Sequence, residues 1–116
     1  MPDEKNLLLG LFMETFAVMI IHIVRISLLI DNRGNKESNG VAIGAAYTMF
    51  VMASAEISGA CFNPARALGP FFFMDGVGAS SQLLMAICPF VGCTLAMALY
   101  KQFLMSESLE EELDEL

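Results

Sequence analysis

Asn63, Pro64 and Arg66 are the residues of this 116-residue chain whose types and spacing are best placed to do chemistry. Asparagine is a favoured helix N-cap, and a proline directly after it suits the first helical position, where no N–H is lost. A helix is therefore expected to start at Asn63–Pro64, with Arg66 in its first turn. The start of a helix carries free N–H groups and the positive end of the dipole. The guanidinium adds a fixed charge and a fork of donors. Such a group hydrogen-bonds an oxygen brought to it and disfavours cations, including hydronium, without making or breaking a covalent bond. No nucleophile–base pair and no paired acids occur in the sequence, so an enzyme is not expected.

Cys61, Cys88 and Cys93 form no CxxC pair and sit in apolar sequence, which reads as buried free thiols. His22, the one histidine, has no companion ligand nearby, so neither a metal site nor a cofactor is expected. The net charge of −7 comes mainly from Glu107, Glu110, Glu111, Glu112, Asp114 and Glu115. That run reads as a solvated, frayed tail, and it argues against nucleic-acid binding.

The elements that must position these groups read as membrane spans. Hydrophobic residues make up 56% of the chain, with the polar ones bunched at the ends and in one loop. Residues 7–30 are long enough as a helix to cross a hydrocarbon core of ~30 Å. Glu14, His22 and Arg25 interrupt this span; charges there face protein or water, and Arg25 is placed to snorkel. Residues 31–40 read as a loop rich in turn formers. Residues 41–57 form a second apolar helix whose many small residues, from Ala42 to Ala55, suit close helix packing. Residues 58–79 hold the Asn63 helix, two or three turns ending at Gly69–Pro70 or at the Asp75–Gly76 turn. That is too short to span, so it is expected to be re-entrant, buried in protein or lining water. Residues 80–105 make the last crossing, with Gly92 and Ala96 as small contact positions and a kink expected at Pro89. Residues 1–6 and 106–116 are tails. The expected fold is an all-α integral membrane protein of three transmembrane helices and one re-entrant half-helix. Arg25, Arg33, Lys36 and Lys101 place the loop and carboxyl terminus in the cytoplasm and the amino terminus outside, by the positive-inside bias.

The stretch SGACFNPARALGP, Ser58 to Pro70, resembles the second signature loop of the major intrinsic protein family, the aquaporins and aquaglyceroporins. The likeness extends to Glu14-Thr15-Phe16, Asp31-Asn32-Arg33, Val41-Ala42-Ile43-Gly44 and Pro89-Phe90-Val91-Gly92, which are similar to parts of the family's last three spans. The resemblance implies the second repeat of an aquaporin-like fold. It implies a pore for water and possibly small neutral solutes such as glycerol or urea, in a plasma or internal membrane. Asn63 would donate its side-chain amide to the passing molecule, and Arg66 would stand at the outer constriction. The carbonyls of Gly59, Ala60 and Cys61 would line the path, with Pro64 and Ala65 completing the loop motif. Two further constriction positions carried over from the family by counting back from Asn63 are Val51 and Ala60, a wider and less polar pair than one with histidine. The set of Val51, Ala60 and Arg66 is similar to that of plant nodulin-like members, although Ala67 stands where glycerol facilitators usually carry aspartate. Glu14 would hold the re-entrant loop by hydrogen bonds.

A full family member has a first repeat with its own half-helix, and none is present here. Three readings compete: a fragment of a full channel, a half-channel pairing with a separate first half or with another copy, and a non-conducting subunit that regulates full-length relatives. The family's tetramer implies a homo-oligomer in the lipid bilayer. A small secondary-transporter subunit is a further alternative, with Glu14 and Glu56 as its coupling carboxylates.

Overall fold

The computed structural model describes residues 6–31, 36–73, 79–105 and 107–116. Helix α1, Leu7–Arg25, is followed by a wider π turn, Ile26–Ile30, closed by the Asp31 N–H donating to the Ile26 carbonyl at 3.0 Å. Helix α2 is Asn39–Ser58, α3 is Pro64–Phe71 and α4 is Ala79–Leu99. Helix α4 also ends in a π turn, Tyr100–Leu104, and a short α5 covers Glu107–Asp114. Leu7–Ile30, Asn39–Ser58 and Ser80–Leu104 are long and apolar enough to cross a membrane. The chain is an all-α membrane protein.

Several boundaries differ from the sequence expectation for physical reasons. Helix α2 begins at Asn39, after a 3₁₀ turn at Lys36–Ser38, because the Asn39 side-chain amide donates to the Leu28 carbonyl at 2.7 Å. That bond fastens the start of α2 to the π turn of α1. Helix α2 stops where Gly59 takes φ 85°, a left-handed cap whose N–H returns to the Ala55 carbonyl. Helix α3 ends at Phe71, next to Pro70; the Asp75–Gly76 turn lies outside the described residues, as do Asn32 and Arg33. Helix α4 runs as an unbroken α-helical stretch through Pro89. The acidic tail is helical rather than frayed. Glu107 and Glu110 favour the positive end of α5's dipole, and Leu109 is buried.

Helix α1 is central, packing on both α4 and α2, while α3 rests on α4. One core cluster joins Ala17, Val18 and Ile21 of α1 to Phe50 of α2 and to Ala60 and Phe62 of the following loop. A second joins Ala67 of α3 to Met85 and Ala86 of α4. Of the small residues of α2 between Ala42 and Ala55, Ser54 alone is buried within this chain. Only Phe50, Ser54 and Ser58 of that helix are buried, and a side chain at Gly44 would meet nothing within 4 Å.

The ends of α1 and α4 are joined by a buried hydrogen bond, the Tyr100 hydroxyl donating to Asp31 Oδ2 at 2.6 Å. Bonds to a charged acceptor contribute about 1.5–3 kcal/mol. Tyr100→Phe is expected to lower unfolding stability in detergent by about 2 kcal/mol, measured by denaturant or thermal titration, with helix content unchanged.

Candidate functional site

The site is built around the backbone between Ser58 and Asn63. Ala60 and Phe62 both adopt φ 49°, a left-handed conformation that costs non-glycine residues of order 1–3 kcal/mol each. Glu14 holds them there. Its carboxylate, fully buried on α1, accepts from the Ser58 hydroxyl at 2.6 Å, the Cys61 N–H at 2.9 Å and the Phe62 N–H at 2.7 Å. Successive amides converging on one anion form a nest, and charge-assisted bonds of this kind are the strong ones. Serine 58 in turn accepts from the Ala60 N–H at 3.2 Å.

This loop delivers the chain to Asn63 in an extended conformation, φ −150° and ψ 126°. Asn63 Oδ1 accepts from the Ala65 N–H at 2.8 Å, Pro64 fills the first turn, and the Asn63 carbonyl takes the first intrahelical bond from the Ala67 N–H. With its oxygen turned to the helix, the Asn63 amide points its NH₂ away, and the residue is exposed. Arg66 is exposed as well, and its Nη1 donates to the Tyr47 hydroxyl of α2 at 2.9 Å.

Asn63 and Phe62 border two adjoining hollows of about 150 and about 270 Å³. Both hollows are also lined by His22 and Arg25, the smaller one reaching Tyr47 and the larger one Pro64 and Cys93. The sequence reads His22 and Arg25 as groups that face protein or water, with Arg25 snorkelling; the fold brings both beside Asn63. The His22 ring nitrogen Nδ1 lies 2.9 Å from the Val18 carbonyl and donates to it.

Other residues singled out in the sequence lie close by. Val51 is half-buried against the core cluster, Ala60 is buried, Gly59 caps α2 and Cys61 is half-buried against the Ala67–Met85–Ala86 cluster. Sequence reasoning missed Tyr47 and Ser58. A hydroxyl one turn before Val51 and another directly before Gly59 were the available signals. Among the described residues, no cluster of three or more metal-ligating side chains occurs.

Residues 1–100 match the model of the major intrinsic protein family. The chain belongs to that family. It is 26% identical over 88 residues to glycerol uptake facilitator protein-like 6 of Lactiplantibacillus plantarum, covering 76% of this chain and 41% of the relative. It is 32% identical over 99 residues to the aquaporin AqpM of Methanothermobacter thermautotrophicus, covering 81% of this chain and 39% of the relative. It is 40% identical over 69 residues to aquaporin NIP3-1 of Arabidopsis thaliana, covering 60% of this chain and 21% of the relative. No solved structure matches. The chain thus spans about two-fifths or less of the length of these curated relatives. Membership is that of a channel family rather than an enzyme family.

Proposed function

We propose that the chain supplies one side of a membrane pore for water and small neutral solutes such as glycerol or urea, with protons and ions excluded. The observation that carries this reading is the α3 start. A helix of eight residues opens at Asn63 and packs on α4, beside three helices long and apolar enough to cross a membrane, with Asn63 and Arg66 both left exposed. Exposed amide and guanidinium groups beside apolar spans are costly in lipid and call for an aqueous path. In this pore Asn63 donates to the passing oxygen, Arg66 adds charge and donors at the outer constriction, and Val51 and Ala60 leave the filter wide. The carbonyls of Gly59, Ala60 and Cys61 are the acceptors, Pro64 and Ala65 shape the turn, and Glu14 supports it. The amino terminus lies outside and the carboxyl terminus in the cytoplasm.

The rest of the wall comes from a first repeat or from another copy, within a homo-oligomer. The uncovered small-residue side of α2, around Gly44, supports such a neighbour. The same uncovered side supports a second reading, in which the chain conducts nothing and pairs with full-length relatives to regulate them.

Osmotic shrinkage of proteoliposomes separates the two. The channel reading expects water permeability above bare lipid and, for Arg66→Ala, a change in the glycerol-to-water ratio of about threefold or more. Permeability at the bare-lipid level, both with the chain alone and with a separate first repeat added, removes it and favours the regulatory subunit. Passage of water with exclusion of glycerol and urea removes the solute half alone.

A further inference from the structure

Tyr47 has no part in the constriction as counted from Asn63, yet it touches both Arg66 and the ring of Phe62. Its hydroxyl accepts from Arg66 Nη1 at 2.9 Å. Its ring meets the Phe62 ring edge-on, centroids 5.6 Å apart at 89°. Phe62 is the residue whose N–H is held by the buried Glu14 carboxylate at 2.7 Å. The phenol also borders the hollow of about 150 Å³ that reaches Asn63. A continuous set of contacts therefore runs from Glu14 through Phe62 and Tyr47 to the guanidinium.

We propose that Tyr47 is the positioning residue for Arg66 and, through it, a determinant of which neutral solute passes. This deepens the pore reading and rests on it. An arginine side chain on a first helical turn has several rotatable bonds, and its fork acts as a specific donor only when something fixes its plane. Val51 and Ala60 carry no polar side-chain atom and cannot fix it. The Tyr47 oxygen can, because the edge-on packing against Phe62 in turn holds the ring. A hydroxylated or amide solute would then meet a fork of donors held in one plane, whereas water needs only one of them.

Tyr47→Phe removes the hydroxyl and keeps the ring on Phe62. In the same proteoliposomes, it is expected to leave water permeability within about twofold and to lower the glycerol-to-water and urea-to-water ratios about threefold or more. In an Arg66→Ala background the same substitution is expected to have no further effect on those ratios, since the two groups act as one. Unchanged ratios in Tyr47→Phe, or an effect of full size without Arg66, overturn this inference while the channel stands. Wild-type permeability at the bare-lipid level overturns both. Solid-state NMR on bilayer samples labelled at arginine nitrogen and tyrosine carbon gives an independent reading, simplified by a sequence with only two tyrosines. Magnetisation transfer between the Arg66 guanidinium and the Tyr47 ring is expected, and its absence sinks the proposal.

Discussion

Glu14→Ala is expected to destabilise the protein by roughly 3–5 kcal/mol and to bring permeability down to the bare-lipid level. The carboxylate accepts three hydrogen bonds in a site with no solvent exposure. Truncation strands two backbone N–H groups, each costing about 1–3 kcal/mol when buried without a partner, and leaves the Ser58 hydroxyl only the Ser54 carbonyl at 3.3 Å. The left-handed backbone at Ala60 and Phe62 then loses the anion that holds it, and relaxation there moves the start of α3. Glu14→Gln sharpens the test. One amide oxygen can keep the Ser58 and Cys61 donors or the Phe62 donor, and the amide NH₂ then opposes the donor that is left. The expected loss is about half that of the alanine variant. Both variants are read by denaturant titration in detergent and by osmotic shrinkage. A Glu14→Ala protein as stable and permeable as the wild type would show that the loop holds its shape without the clamp.

The clamp explains why some of this site was legible in the sequence and some was not. The start of α3 depends on local rules alone: an asparagine that caps and a proline that has no N–H to lose. The burial of Glu14 was legible because a carboxylate in an apolar span must find donors, although which donors came from resemblance. Tyr47 was not legible. An aromatic in an apolar helix reads as packing, and its bond to Arg66 exists only because the loop turns left-handed at Ala60 and Phe62, which no residue type announces. The same holds at the other end of the bundle. Asp31 and Tyr100 lie 69 residues apart and meet only through the packing of α1 on α4. The tail is solvated as its charge density implies, but it is helical because Glu107 and Glu110 stand in the first turn of α5 and Leu109 is buried.

The contact between α1 and α4 carries the other large expected effect. A Cβ at Gly92 would stand 2.6 Å from the Thr15 backbone oxygen, 3.0 Å from Val18 Cβ and 3.1 Å from Val18 Cγ1. The valine methyl can shift by a rotamer change, but the carbonyl oxygen belongs to α1 itself and cannot. Gly92→Ala must therefore push the two helices apart, an overpacking cost of about 2–3 kcal/mol. The displacement reaches the loop between Ser58 and Asn63, because Thr15 adjoins Glu14, whose bonds to Cys61 and Phe62 are already at 2.9 and 2.7 Å. Gly92→Ala is expected to lose most of its permeability along with stability. Gly44→Ala is the matched control. Nothing lies within 4 Å of the added methyl in this chain, and alanine is the better helix former by about 1 kcal/mol. Stability of Gly44→Ala in detergent is therefore expected to equal or slightly exceed the wild type. In the bilayer the two glycines test different neighbours: a permeability loss at Gly44 without a stability loss would locate the surface against which the other side of the pore closes.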